Sequence, residues 1–573
     1  MLAASLAAAN LWVHAARGEE ATVTAAAEVT VSRDVKSDGS VPSGEVSPAE
    51  ARPTSEVIAY IDSQIRAAWT DAGIKPSPRA TDSEWCRRVY LDLVGRIPSV
   101  EELATYLADK SSDREARLVE RLINSDEYAE DFASHWTTIW TNLLIGRSGG
   151  TDRRDLTDRE GLKQYLRRSF YTNKPYDRLV YELVTADGVN KPGEENYNGA
   201  VNYLVDKLDD NGVQATAHSA RLFLGVQVQC TQCHNHPFNS WKQDQFWGLN
   251  AFFRQTRPLR TFEGRDVVSV WLTDEDFPGE NRDPEDAVTF YENRDGTAAA
   301  VRPVFLDGTE VSSVGFVDET NRRRELAELM MRSPEMPAAL VNRMWAHFFG
   351  YGFTKPVDDM GPHNPPSHPE LLDELATQVV AHGYDLRALL TWIVLSESYA
   401  LSSRLGDGNA EDDPTIGNTP LFSRFYLRQM TAEQLYESLL VATQADRTDY
   451  RERERLRQQW LEQFTVAFGT DEGDETTTFN GTIPQALMMM NGELVGRATQ
   501  CQPGSFLHDV ATSSENEGGK IARLYQAALA RQPSKAELNA ARAIYTARGG
   551  NTAAMLQDVW WAILNSNEFI LNH

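Results

Sequence analysis

The residues with the most specific chemistry lie close together at Cys230, Cys233 and His234, in a Cys-x-x-Cys-His pattern. This spacing allows two thiols to add to the two vinyl groups of one haem while the adjacent imidazole reaches the iron as its proximal ligand. The pattern therefore predicts covalent attachment of haem c, with His234 on the haem iron.

Three other interpretations of this cluster stay open on the sequence alone. Together with His236, the residues Cys230, Cys233 and His234 could supply four ligands to zinc or another transition metal. The two thiols could instead form a redox-active pair, or they could be buried cysteines with only a structural role.

A haem iron also has a sixth coordination position. Thioether candidates are Met360 and the methionines at 488–490, and imidazole candidates are His218, His363 and His368. An open sixth position would suit gas or peroxide chemistry rather than electron transfer. No spacing argument selects one ligand, and the methionine run is interpreted as core packing.

A second group of charged and imidazole side chains could hold a metal or a sugar. Its members are Arg343, His347, Asp358, Asp359, His363 and His368. Arg343 and His347 are four residues apart and share one face of a predicted helix, and the others lie in the loop that follows. Prolines in this loop fix its backbone without any need for chemistry. We predict a buried structural network here, and a hydrolase built on Asp358, Asp359 and His368 is the least favoured alternative.

The elements that must position these candidate site residues mostly have the sequence pattern of helices. One example is an apolar stripe made of Val57, Ile58, Ile61, Ile65 and Ala68. Between about residues 253 and 315 the pattern changes to short alternating runs, such as 267–271 and 300–306, separated by Asp, Gly, Pro and Asn. Helical patterns resume after Asp318. The sequence predicts a mainly α fold, with two helical domains and a small β-rich insertion between them.

Two distant stretches of the sequence resemble each other. Residues 96–103 recur as 531–538, and in each stretch a Ser is followed three residues later by a Glu. This spacing is typical of a capping box at the start of a helix. The tails at 124–128 and 565–569 also match, with 395–399 as a looser third copy. We predict two similar helical modules.

Composition and charge exclude several classes of protein. The chain has 573 residues, 41% of them hydrophobic, which excludes wholesale disorder. Lys and Arg total 56 against 83 Asp and Glu, giving a net charge of −27, so no nucleic acid partner is expected. Four cysteines are too few for a disulfide scaffold, and no pattern indicates a role for Cys86 or Cys501.

The start of the chain predicts export. Residues 1–16 form an uncharged run rich in Ala and Leu that ends in small residues, as in a signal segment. Residues 17–54 lack useful periodicity and are interpreted as a disordered linker. No later segment reaches the roughly 18 apolar residues of a membrane helix, so we expect no stable membrane span after signal removal. A periplasmic or secreted location agrees with haem attachment, which takes place outside the cytoplasm.

Several motifs resemble known families of domains. Residues 87–98, 230–238 with Trp241, 248–253 and 303–308 resemble the planctomycete-type cytochrome C-like domain of unknown function. Residues 342–350, 366–372, 484–487 and 564–569 resemble the second domain of unknown function that usually follows it. The resemblance implies an exported, mainly helical protein with a haem attachment motif and no established activity. We expect the cytochrome C-like domain at 55–253, the β-rich insertion at 254–315 and the second helical domain at 316–573.

These observations give two competing functional hypotheses. The first is an exported protein that carries haem c and serves in redox chemistry or electron transfer with an exported redox or surface protein as partner. The alternative is a haem-free binding or scaffold module for surface polysaccharide or a partner protein. In that case Cys230, Cys233, His234 and His236 would hold a structural metal.

Overall fold

Helices make up most of the chain in the computed structural model, which describes residues 50–573 except 152–154, 209 and 445–492. The helices before the β-rich segment are α1 Thr54–Asp71, α2 Asp82–Val94, α3 Val100–Ala108, α4 Arg114–Asn124, α5 Ala129–Ile145, α6 Arg159–Tyr171, α7 Tyr176–Val184, α8 Val201–Lys207, α9 Val213–Leu224 and α10 Gln243–Asn250. Those after it are α11 Arg322–Arg332, α12 Glu335–Phe349, α13 Pro369–Ala381, α14 Leu386–Val394, α15 Ala432–Thr443, α16 Glu493–Ala498, α17 Phe506–Thr512, α18 Glu517–Leu529, α19 Lys535–Ala547, α20 Thr552–Leu564 and α21 Asn567–Ile570. The mainly α class is confirmed.

Several sequence predictions fall outside this part of the chain. The signal segment at 1–16, the linker up to residue 49 and the methionines at 488–490 lie outside the described residues, as does the motif at 484–487. Within the described residues, no helix combines the length and hydropathy needed to cross a membrane.

Within the described part of the chain, short antiparallel strands form three small sheets. The strands are β1 Gly188–Val189, β2 Thr256–Glu263, β3 Asp266–Asp274, β4 Thr289–Glu292, β5 Ala298–Val301, β6 Arg428–Gln429 and β7 Leu571–Asn572. The first sheet has the order β1-β3-β2, β4 pairs with β5, and β6 pairs with β7. The strand predicted around 267–271 lies in β3, whereas only residues 300 and 301 of the run predicted at 300–306 are in a strand, because β5 ends before Pro303, which has no N–H to donate. The first sheet also includes β1, which comes from outside the predicted insertion.

Two hydrophobic cores stabilise the described residues. The first draws on residues from Val57 to Tyr426 and on Ala530, so helices on both sides of the β-rich segment share it. The second is built from residues between Met430 and Phe569, together with Leu91 and Ile97. Along the sequence, the boundary between the first and the second core therefore lies near residue 428 rather than at the β-rich segment. This arrangement does not confirm a layout of two helical domains on either side of the insertion.

Helix α2 carries three charged side chains in the interior, and each is at most 1% exposed: Arg87, Arg88 and Asp92. Burial of an unpaired charge is costly, so such groups need partners. The Arg87 guanidinium donates to the main-chain oxygens of Phe569 (2.9 Å) and Leu571 (3.1 Å). Arg88 donates to the carbonyls of Leu401 (2.9 Å), His573 (3.2 Å) and Tyr399.

The Asp92 carboxylate completes this buried network. Two hydrogen bonds of 2.7 and 2.8 Å join it to Arg428, which is itself 7% exposed. The Tyr399 hydroxyl donates to Asp92 at 2.7 Å, and the Asn572 amide donates at 2.7 Å. Helix α2 therefore joins the first core to the last residues of the chain.

The two predicted modules share the same local structure. At the start of α3, the Glu102 N–H donates to Ser99 Oγ (3.1 Å) and the Ser99 N–H donates to Glu102 Oε2 (2.6 Å). At the start of α19, Ser534 and Glu537 make the same two bonds at 3.2 and 2.6 Å. Both predicted capping boxes are confirmed.

The similarity extends to the arginine in front of each capping box. Arg96 donates twice to Glu102, both at 2.9 Å, and Arg531 donates twice to Glu537, at 3.0 and 2.7 Å. The helices before them, α2 and α18, both end in a left-handed residue, at Gly95 (φ 76°) and at Ala530 (φ 55°). The two similar stretches therefore also share the way in which the helix before each of them ends.

Candidate functional site

The Cys-x-x-Cys-His pattern lies just after helix α9. Helix α9 ends at Gly225, whose left-handed φ of 66° suits a residue without a side chain. A 3-10 turn follows at Gln229–Gln232. Thr231 is fully buried, and its hydroxyl and N–H both donate to the Val228 carbonyl, at 2.6 and 2.9 Å. Because Thr231 faces the interior, the residues on either side of it turn outward.

Cys230 and Cys233 are both exposed, and both are free thiols. Residues three apart in a helical turn lie on the same side, with Cβ atoms about 5–6 Å apart in an α-helical turn and closer to eclipsed in a 3-10 turn. The interpretation of these residues as buried structural cysteines is wrong, because the packing of Thr231 leaves the thiols in solvent.

His234 presents one ring nitrogen to solvent. Its ring is exposed, and Nδ1 lies 2.8 Å from the main-chain oxygen of Asn235. When Nδ1 donates to this carbonyl, the neutral ring carries its lone pair on Nε2. A carbonyl on the second nitrogen is the usual support of a metal-bound histidine. His234 therefore has the donor chemistry of an iron ligand.

His236 has a different environment. Its Nδ1 accepts hydrogen bonds from the main-chain N–H groups of Phe238 (3.2 Å) and Asn239 (3.1 Å). The neutral ring then carries its proton on Nε2, so neither nitrogen has a lone pair for a metal. Among the residues described here, no group of three or more His, Cys, Asp or Glu side chains could hold a metal ion. The four-ligand cluster is not assembled in this conformation.

Residues of helix α10 anchor the backbone of the cysteine loop and also contact residues of strand β4. The Gln243 amide donates to the main-chain oxygens of Gln232 (3.1 Å) and Glu292 (2.8 Å). The Trp247 indole N–H also donates to the Gln232 oxygen (3.1 Å), and its ring stacks on Tyr291. The sequence analysis missed this role of Gln243 and Trp247. Their spacing of four residues on one helix face was the available signal.

The loop also displays an aromatic ring. Phe238 is 88% exposed, and its ring lies edge-on to the His236 ring with 6.3 Å between centroids. The turn below it is closed by hydrogen bonds, since the His236 N–H donates to the Trp241 carbonyl (2.8 Å) and the Trp241 N–H donates to Asn239 Oδ1 (3.0 Å). The exposure of Phe238 is thus fixed by an ordered loop.

The candidates for a sixth haem ligand have contacts of their own. The Met360 N–H donates to the Gly225 carbonyl at 2.7 Å, which brings this methionine to the end of α9. His218 is buried in α9 with its Nδ1 3.4 Å from the Tyr203 hydroxyl. Burial holds the pKa of His218 well below its usual value, and nearby lysine and arginine charges lower it further. His363 and His368 belong to the second group.

That second group divides into separate local contacts. Arg343 donates to Asp358 at 2.5 Å, and Arg221 lies 3.9 Å from the same carboxylate. The Nε2 atom of His363 lies 2.9 Å from Asp359 Oδ1. Asp358 is thus paired with the Arg343 guanidinium, and Asp359 is within hydrogen-bond distance of the His363 ring.

His347 and His368 lie elsewhere, each among aromatic rings. The ring centroid of His347 is 5.4 Å from that of Trp136, and that of His368 is 5.5 Å from that of Phe422. Burial holds the pKa of His347 well below its usual value and lowers that of His368 to about 4. Both rings are therefore neutral at pH 7. The structure brings Arg343 to Asp358 and Asp359 to His363, but it does not join the six residues in one site.

Two family models match the chain in sequence order. The PSCyt2 model, described as a protein of unknown function (DUF1549), matches residues 60–258. The PSD1 model, described as a protein of unknown function (DUF1553), matches residues 322–458. The chain belongs to the proteins that combine a PSCyt2 domain with a PSD1 domain. The exposed cysteine loop lies in the PSCyt2 region, and the loop with Asp358 lies in the PSD1 region. No curated protein and no solved structure matches the chain.

Proposed function

We propose that the loop at 229–241 is a covalent attachment site for haem c, and that the protein serves in redox chemistry or electron transfer. The observation that carries this proposal is the exposure of both thiols, with Cys230 in the 3-10 turn Gln229–Gln232 and Cys233 directly after it, just before His234. An attachment reaction needs thiols that are free and accessible, and Cys230 and Cys233 are both free and exposed, three positions apart in the sequence.

The residues of the loop would have different roles in haem attachment. Cys230 and Cys233 would form the two thioether bonds, and His234 would bind the iron through Nε2. The Asn235 carbonyl fixes the orientation of His234 and makes its ring a stronger ligand. Gln243 and Trp247 fix the backbone at Gln232 between the two cysteines. A bound haem would supply one-electron chemistry.

Export to the periplasm or beyond the cell is part of this proposal, because haem c is attached outside the cytoplasm. The partner would then be another exported redox or surface protein. N-terminal sequencing of protein recovered from its native host should find a chain that begins close to Ala15 or Ala16. Recovery of chains that keep Met1 would contradict export by a cleaved signal.

Haem attachment is tested by expression in a host with c-type maturation. We expect a pyridine haemochrome spectrum and haem staining on a denaturing gel for the wild type. The double variant Cys230→Ser/Cys233→Ser should lose the stain, because it removes both thioether bonds, whereas each single variant keeps one of them. His234→Ala should keep pigment but alter the iron spin state. Cys501→Ser is the matched control, since Cys501 is also a free cysteine but lies outside the loop.

Two results would refute the proposal. One is a matured wild-type protein that is colourless and contains stoichiometric zinc, which would favour the haem-free module with a structural metal. The other is haem that remains on the gel in the Cys230→Ser/Cys233→Ser double variant.

A further inference from the structure

Phe238 is the most exposed of the large apolar side chains in the described residues, at 88% of its surface. An exposed phenylalanine in a frayed loop would need no explanation. Here, however, two main-chain N–H groups bind His236 Nδ1 and fix the backbone of Phe238 and Asn239. These bonds fix the backbone of the loop, and the Phe238 ring extends from it into solvent, where contact with an apolar ligand would remove apolar surface from water.

The other aromatic rings near the cysteine loop already have partners. Trp247 packs between Phe246 and Tyr291, with ring centroids 5.4 and 6.1 Å away. Trp241 is partly buried against the first core. Phe238 is thus the aromatic side chain of this loop that is left for an incoming apolar surface.

We propose that Phe238 covers one face or edge of the haem attached to Cys230 and Cys233, and so shields it from water. This inference rests on the proposed function. A porphyrin is a large apolar ring, and one attached at exposed thiols would remain in solvent unless the protein supplied an apolar neighbour. Phe238 lies four residues after His234 and is fixed in the same hydrogen-bonded loop.

Shielding by Phe238 has a measurable consequence. Water around a haem favours its more highly charged ferric state, so burial and solvent access set the reduction potential. Removal of the ring in Phe238→Ala should therefore shift the midpoint potential of the matured protein to more negative values. Phe238→Leu, which keeps an apolar side chain of smaller size, should give an intermediate shift.

The experiment compares redox titrations of the wild type, Phe238→Ala, Phe238→Leu and Phe262→Ala. Phe262 is the matched control because it is also highly exposed, at 60%, but lies on β2. Haem content is measured first, by pyridine haemochrome, so that attachment and shielding are scored separately. We expect full haem content in all four proteins, an unchanged potential for Phe262→Ala and a negative shift for both Phe238 variants.

Two outcomes would overturn the shielding role of Phe238, and only the first of them would also refute the haem attachment site. A wild type without haem refutes both the attachment site and the role of Phe238. Full haem content with the same potential in the wild type, Phe238→Ala and Phe238→Leu leaves the attachment site standing and refutes the shielding role alone.

Discussion

Replacement of Asp92 by Asn should destabilise the protein more than any exposed Asp→Asn change. Asp92 is fully buried and accepts four hydrogen bonds, two from Arg428 and one each from Tyr399 and Asn572. Asparagine has nearly the same shape but no charge, and its amide nitrogen cannot accept a bond from Arg428. The change therefore leaves a buried guanidinium without its counter-charge.

The expected magnitude follows from the burial of the pair. Loss of one partner of a buried ion pair costs about 3–5 kcal/mol, because the remaining charge stays buried and unpaired. Arg428 keeps one other bond, to the main-chain oxygen of His347 at 2.6 Å, which offsets only part of this cost. The free energy of unfolding of Asp92→Asn should thus fall by about 3–5 kcal/mol.

The matched control is Asp131→Asn. Asp131 also pairs with one arginine, Arg96, at 3.0 Å, but its side chain is 43% exposed. Exposed pairs of this kind contribute about 0–1 kcal/mol. Urea denaturation followed by tryptophan fluorescence compares the two variants, and the double variant Asp92→Asn with Arg428→Met should recover part of the loss because it removes the unpaired charge. Equal stability of Asp92→Asn and Asp131→Asn would refute the argument.

Two further predictions concern pH and helix capping. Since burial lowers the pKa of His368 to about 4, the unfolded chain binds a proton there more readily, so wild-type stability should fall as the pH drops from about 6.5 towards 4. His368→Gln should lose less stability than the wild type over this interval, and the difference should reach up to about 3 kcal/mol. Thermal melts at several pH values measure it. Parallel pH profiles of the two proteins would contradict the lowered pKa of His368. Ser534→Ala breaks the capping box of α19 and should lower stability by about 1 kcal/mol, as should Ser99→Ala at α3. Thermal melting that leaves either variant unchanged would show that its cap contributes nothing.

Features that depend on local sequence were predictable. The two capping boxes need only a Ser and a Glu three residues apart, and both were confirmed. The strand β3 was visible in the alternation of apolar residues, whereas the run at 300–306 overlaps β5 only at residues 300 and 301. The cysteine spacing was also visible, but the outward direction of the thiols depends on Thr231, whose burial no local pattern indicates.

Features that depend on distant partners were not predictable. Arg87 and Phe569 are separated by 482 positions, and no motif links them. The second polar group shows the same limit. Arg343 and His347 share a helix face, yet Arg343 pairs with Asp358 while His347 packs against Trp136 of α5. Spacing along one helix cannot show which neighbouring element each residue will meet.

The contacts of α2 also limit how early during synthesis the protein can complete its folding. A ribosome adds about 5–20 residues per second, so the 482 positions between Arg87 and Phe569 take roughly 25–100 s to synthesise. During this time α2 exists without the carbonyls of Phe569 and Leu571 and without the Asn572 amide. Arg87 then lacks both of its carbonyl partners, whereas Arg88 and Asp92 can already bind Tyr399 and Arg428. The buried hydrogen bonds of α2 are therefore complete only after residues 569–572 have been made, and a nascent chain released before residue 569 would leave the Arg87 guanidinium without these partners.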